Sequence, residues 1–435
     1  MAAFAPGILF EYLLLFRSHF TKPSFAYFGG YILSLLLTSG RKTSSRVAHT
    51  CFFVERHLAS WERFLSEYKW DLNLVLRTLL DTLLAQLGQS LQVHGAYLAA
   101  VDTFLVAKNG RAMPGVQAWR DHSGNADRGE RIRGHHWALL GLIGFSTTWG
   151  RYLCFPLLLR LISGRLNPCQ WVVNPQGVAT QATFWDCVLP LIGQLRHFLG
   201  AVPLRVVADA YFSKAPFINP LLQQGIHLIS RLRKDAVGWD DPSPEQRADA
   251  QRGQKWKLAD LLEHLPAVAL TVLLYGRQVT VRAVSRVVWL RDVEQKVKVV
   301  VIEGLKEPIL LVCTDLALTM AQIIEIYAAR FPIELAIRDL KQYFGIADYQ
   351  CYRDVAIHRF VHLSCVAFCV YRLIQFRAPA WLPSTPRCVS PASFAHLRSA
   401  LRRHLVKRIL APDSGGRPEV TARPAELEAV LRITA

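Results

Sequence analysis

Leu98-Ala99-Ala100-Val101-Asp102 and Val206-Val207-Ala208-Asp209 decide the fold. Each is an apolar, β-prone run closed by a single carboxylate. An unpaired charge is costly to bury, so such an acid needs a basic residue, a hydrogen-bond donor or a metal. Either acid alone reads as a capped or salt-bridged group. Two at matching strand ends read differently. Adjacent strands of one sheet would bring them together, and like charges at close range demand a divalent cation. Hard oxygen ligands with open water positions suit Mg²⁺ or Mn²⁺.

A third carboxylate is offered downstream by Tyr327-Ala-Ala-Arg330-Phe-Pro-Ile-Glu334-Leu-Ala-Ile-Arg338-Asp339-Leu340-Lys341. At the helical repeat, Tyr327, Arg330, Glu334 and Lys341 fall within an arc of about 60°. Pro332 should kink the helix or start a new one near Phe331, leaving Glu334 in a first turn, where a carboxylate is favourable.

The rest of the chain frames these acids. Residues 1–92 show helical spacing, as in Leu72, Leu76, Leu79 and Leu83, with a basic turn at Gly40–Arg46 that reads as a solvated loop or as part of a helical DNA-binding unit. Strands are expected over 97–106, 204–208 and 226–231, further strands or buried segments over 137–145 and 151–161, and helices over 180–199 and 214–224. Between the first two strands, residues 108–134 form a polar loop that either closes over DNA or simply connects. Residues 236–266 read as a linker with a short helix. Residues 267–303 are Val-rich and alternating, hence antiparallel β, and Ile309–Cys313 is one more buried strand. Helices follow at 319–343 and 354–377, then a basic tail from 387.

This combination resembles the DDE transposases of bacterial insertion sequences, specifically the insertion-sequence-four group. Tyr327, Arg330, Glu334 and Lys341 match its Tyr-x2-Arg-x3-Glu-x6-Lys signature without a gap. Asp102 in Val-Asp-Thr and Asp209 in Ala-Asp-Ala-Tyr match its two acidic motifs. The resemblance covers roughly residues 95–375. It implies an α/β fold with a ribonuclease-H-like core interrupted by a β-rich insertion. The expected units are an N-terminal helical DNA-binding domain (1–92), the core in two parts (93–235 and 307–378), the insertion (236–306) and a basic tail (379–435).

The resemblance further implies that Asp102, Asp209 and Glu334 hold two Mg²⁺ or Mn²⁺ ions. Tyr327, Arg330, Arg338 and Lys341 would contact DNA phosphates. The activity implied is cut-and-paste transposition on double-stranded DNA, by a homodimer acting on transposon ends and target in the bacterial cytoplasm, at the nucleoid. Two rivals remain: a nuclease of the same chemistry without strand transfer, and a non-catalytic DNA-binding protein derived from a transposase.

Composition agrees with a nucleic-acid partner. The 435 residues carry 51 Lys and Arg against 33 Asp and Glu, a net charge of +18, with 51% hydrophobic residues. That excludes a disordered polyelectrolyte and suits a polyanionic ligand. No Walker pattern is present, consistent with chemistry that needs no ATP. Apolar stretches are interrupted by charge, as by His358, Arg359, His362 and Arg372, which argues against a membrane span, and no leader pattern opens the chain. Nine cysteines without CxxC pairs suit reduced thiols. Cys365 and Cys369 read as core packing. His135 and His136 would point to opposite faces of a strand and share no metal. Trp289 reads as a packing residue before it reads as a stacking platform for a base.

Overall fold

The computed structural model describes residues 7–51, 57–110, 112–120, 131–162, 171–173, 179–181, 183–243, 252–304, 307–377 and Phe394. Most of the tip of the expected polar loop, and the basic tail with Arg387, Arg398, Arg402, Arg403, Lys407 and Arg408, lie outside the described residues.

Five helices come first: α1 (Gly7–Leu14), α2 (Lys22–Leu37), α3 (Ser44–Thr50), α4 (Leu58–Ser66) and α5 (Leu72–Leu87). Strands β1 (Gln92–Val93), β2 (Ala96–Ala107), β3 (Gln117–Arg120), β4 (Arg131–Ser146) and β5 (Arg151–Ile162) follow. A ribbon of β6 (Trp171–Val173) and β7 (Ala179–Gln181) leads to α6 (Phe184–Leu199), β8 (Leu204–Ala208), α7 (Ala215–Gln223) and β9 (His227–Arg231). A second ribbon, β10 (Val237–Trp239) with β11 (Lys255–Lys257), and the single turn α8 (Leu261–His264) precede β12 (Val268–Leu274), β13 (Arg277–Val288), β14 (Val297–Ile302) and β15 (Ile309–Cys313). Last come α9 (Met320–Ala328), α10 (Pro332–Tyr343) and α11 (Asp354–Arg377).

One large sheet organises the molecule, in the order β12-β13-β14-β15-β9-β8-β2-β4, with β3 and β5 both on β4 and β1 on β2. Strands β2, β8 and β9 are mutually parallel; β4 and β5 continue antiparallel on one side and β15 to β12 on the other. The block over 267–303 is therefore antiparallel as expected. Its ladder continues through β15 into β9, so these strands extend the main sheet. The reason lies in β14 and β15, whose apolar runs Val297–Ile302 and Ile309–Cys313 are largely buried, as interior strands must be.

Helices cover both faces. Neighbouring residues of β4 show this: the His136 ring lies 6.5 Å from Phe184 of α6, whereas Trp137 lies 5.2 Å from His358 of α11. Trp137 pairs directly with Phe104 of β2, so α11 shares the Asp102 face and α6 lies behind. The N-terminal helices pack on α11, and one hydrophobic core runs from them into the sheet. Buried Arg359 of α11 ties the two together by donating to the carbonyls of Leu65, Tyr68 and Trp70. Although Asp354–Phe376 is long and apolar enough to cross a bilayer, it is almost wholly enclosed by protein.

The β12–β13 hairpin turns at Tyr275-Gly276, both with positive φ (51° and 81°), as a two-residue turn between twisted strands requires. Glycine is needed at 276, where a Cβ would stand 2.6 Å from the Gly150 carbonyl oxygen in the β4–β5 turn. The hairpin lies along α9, the Leu273 N–H donating to Glu325 at 2.9 Å.

Candidate active site

Strand register brings the first two acids together. β2 and β8 run parallel, with Tyr97 opposite Leu204 and Ala100 opposite Val207. Two positions further on, the same alignment sets Asp102 beside Asp209. Neighbouring strands lie about 4.8 Å apart, and residues level in a parallel pair share a face. The expectation that both acids end their strands holds only for Asp209. Asp102 lies within β2, which continues to Ala107 because β4 keeps pairing with it as far as Gly134. It is β8 that stops, at Ala208. Asp209 then caps the short turn Ala210–Phe212, its Oδ1 accepting from the Tyr211 N–H at 3.0 Å.

The third acid arrives as the helical arc suggests. The helix breaks into α9 and α10, because Pro332 has no N–H to continue the ladder. Pro332 opens α10 and Glu334 sits in its first turn. Arg330, at the joint, reaches into the acids. Its Nη1 donates to Asp102 Oδ2 at 3.3 Å, and its Nη2 donates to Glu334 Oε1. The Arg330 side chain is 14% exposed and that of Glu334 43%. Tyr327, half-buried, lies one turn back with its ring centre 6.0 Å from the guanidinium carbon. At the other end of α10, Lys341 Nζ stands 5.2 Å from the ring centre of Phe104, two residues beyond Asp102 on the same face of β2. Asp102, Asp209, Glu334, Tyr327, Arg330 and Lys341 thus share one surface. Arg338 does not join the acids: its guanidinium bonds Asp339, which also receives Arg372 of α11.

The electrostatics follow from burial. Burial pushes the Asp102 carboxyl up to about 6; Asp209 and Glu334 add to the rise, while the Thr103 N–H and Arg330 oppose it. Asp209 is raised too, by burial first and Glu334 in addition, against hydrogen bonding from Tyr211 and Phe212 and the charge of Arg330. Burial works against the Arg330 cation, but Glu334 and Asp102 hold it above its ordinary value. The three acids therefore feel one another, with Arg330 as the shared counter-charge. Among the described residues no group of three or more His, Cys, Asp or Glu side chains stands ready to hold an ion; the guanidinium lies between Asp102 and Glu334.

Some contributors are not signalled in the sequence. Ser230 Oγ donates to the Asp209 carbonyl at 2.6 Å and fixes the end of β8 against β9. Arg231 is close enough to influence Tyr327. Exposed Tyr211 stacks on Trp185 at 5.7 Å and carries Lys214 Nζ 4.2 Å over its ring. Along β2, a cavity of about 860 Å³ opens between the start of α3, the end of β2 and the residue 347–356 loop, with Arg41, Lys108 and Arg353 in its wall.

Other singled-out residues have structural surroundings. His135 is buried, its ring nitrogens bonded to the Tyr349 hydroxyl (2.7 Å) and the Pro114 carbonyl (2.8 Å), whereas His136 faces Trp119 and Phe184 behind the sheet. Trp289 Nε1 donates to Asp241, and its backbone bridges Trp239. Cys365 and Cys369 are buried in α11. In the basic turn Lys42 is buried, not solvated: its N–H donates to Asp348 at 2.8 Å and its ammonium to the Thr38 carbonyl.

Comparison with known families supplies the context for this arrangement. No curated protein matches the chain. The family model described as DDE superfamily endonuclease matches residues 16–293, well over half of the chain. The match spans Asp102 and Asp209 and ends before Glu334, so the case for the third acid rests on the geometry of α10. With two carboxylates abreast in the matched region and a third brought over them, the chain belongs to the DDE superfamily endonucleases.

Proposed function

We propose that this protein is a DDE transposase of the insertion-sequence-four type, which cuts DNA at transposon ends and joins the freed 3′-hydroxyl to another phosphodiester. The observation that carries the reading is the alignment of Asp102 with Asp209, with Glu334 tied to the same cluster through Arg330. A ribonuclease-H-like core is supported by the strand order β5-β4-β2-β8-β9, in which three antiparallel strands are followed by two parallel to the first. DNA as substrate accords with the family and with the net charge of +18.

The residues present suit divalent ions. Asp102 and Asp209 lie on adjacent strands and Glu334 reaches them through Arg330, whose single charge incompletely balances the three, and burial leaves Asp102 and Asp209 short of stabilisation as anions. Asp102, Asp209 and Glu334 would hold the ions. Bound Mg²⁺ or Mn²⁺ supplies Lewis-acid polarisation of a phosphoryl oxygen and an activated water or hydroxyl nucleophile. The chain's own groups position the DNA. Arg330 and Lys341 offer phosphates a fork and a point charge. Tyr327 adds a hydroxyl, and Arg338 an exposed cation further along α10. The DNA would approach from the partly exposed Glu334 side of the cluster, since Phe104 and Lys108 further along β2 are buried. The two protomers of a dimer would each hold one transposon end.

The test is a nicking and joining assay with Mg²⁺, using the DNA that flanks the coding sequence as substrate. Wild type should cut and join, and Asp209→Asn should bind the DNA without cutting it. Full cleavage by that variant overturns the assignment. Cutting without joining would instead identify a nuclease that stops at hydrolysis.

A further inference from the structure

Arg330 takes the position in which a cation is wanted. It is a long, nearly buried side chain at the joint between two helices, bonded at once to Asp102 and Glu334. A guanidinium does not lose its proton in a protein, so it cannot leave the cluster by becoming neutral. Two divalent ions entering among three carboxylates would meet this fixed positive charge at close range. Like charges at such range repel strongly. The side chain must then swing away, and the acceptor that replaces two carboxylates best is a phosphate, which takes a guanidinium fork in the same bidentate manner.

We propose that Arg330 is a built-in substitute for the metal, released by a DNA phosphate, so that ions load fully only when DNA is bound. This rests on the proposed three-carboxylate metal site and adds its regulation. DNA removes the internal competitor and the ions remove the competitor for the phosphate contact. By linkage the two ligands must strengthen each other by the same factor. Arg330 is then a positioning residue that makes ion binding conditional, in addition to its contact with the cleaved end.

The experiment is calorimetric titration of the full chain with Mn²⁺, with and without a short blunt duplex of mixed sequence. Wild type, Arg330→Gln, Arg330→Lys, Asp102→Asn and Asp209→Asn are compared. Without DNA, Arg330→Gln should bind Mn²⁺ about tenfold more tightly than wild type, the size of an ordinary coupling between sites. The duplex should tighten Mn²⁺ binding to wild type and leave Arg330→Gln nearly unchanged. Arg330→Lys, which keeps the charge but cannot bridge two acids, should fall between and serves if the glutamine variant does not fold. If Asp102→Asn and Asp209→Asn abolish Mn²⁺ binding but neither Arg330 variant strengthens it, the substitution idea fails and the metal site stands. Should the Asp variants bind Mn²⁺ as wild type does, the metal site itself is refuted and this proposal with it.

Discussion

Two little-exposed arginines, Arg359 within α11 and Arg330 at the joint between α9 and α10, show how differently a cation can be satisfied. Arg359 of α11 sends its donors to the main-chain carbonyls of Leu65, Tyr68 and Trp70 at 2.6 to 3.0 Å, with the Trp70 ring centre 4.2 Å from its guanidinium carbon. Those carbonyls are neutral and belong to the end of α4 and the turn after it. Arg330 sends its donors to two carboxylates, one of them half open to water. Burial lowers the tendency of Arg359 to stay charged, with nothing anionic bonded to it, whereas Glu334 and Asp102 outweigh burial at Arg330. The first arrangement is satisfied within the fold. The second binds two carboxylates, one of which faces water.

The largest expected effect breaks the open site. Asp209→Asn should lower the rate of Mg²⁺-dependent nicking at least ~10³-fold, a loss of roughly 4 kcal/mol of transition-state stabilisation, while the urea midpoint moves little. A rate within tenfold of wild type would contradict this. Next comes the closed site. Arg359→Leu removes the donors of several buried carbonyls and should cost about 3 kcal/mol of unfolding free energy, read by urea titration. Arg330→Gln, measured alongside, should cost less than half of that. Equal losses would erase the distinction between the two arginines.

Asp102 sharpens the comparison through pH. Its folded carboxyl holds a proton up to about pH 6, whereas in an unfolded chain it lets go near pH 4. The folded form therefore binds more protons between these values, and the stability this confers is lost as pH rises through 6. Without metal, Asp102→Asn should be more stable than wild type by about 2 kcal/mol above pH 7, and the gain should vanish below pH 4. A gain independent of pH would show that the carboxyl is not the cause. The smallest effect is expected at Lys341, whose replacement by Ala should weaken the cut-end complex by about 1 kcal/mol in a gel-shift titration and make the binding less sensitive to salt.

Much of this was legible in the sequence, where local pattern carried the information. Leu204–Ala208 is the observed strand to the residue, and Asp209 follows it because a polar side chain that caps a turn must sit just past the apolar run. Pro332 marks the helix break for a covalent reason. What escaped depends on partners remote in sequence. Asp102 interrupts an apolar run that resumes at Phe104, and its place inside β2 is secured by β4, which pairs with β2 from Leu98 to Ala107. The continuity of β12–β15 with the sheet could not be read from alternation, which says nothing about which strand lies next. Lys42 looked solvated in a basic turn until Asp348 and Thr38 met it. The Arg330 bridge is invisible to spacing, since half of it is made with a residue more than two hundred positions away.

The parallel alignment of β2 with β8 carries a further consequence. Side chains alternate along a strand, so sliding one of these two strands by a single residue would turn one aspartate to the back of the sheet. No partly ordered chain with that error could assemble the reactive centre. The pairing of the two aspartates is thus a sensitive marker of the native β2–β8 register.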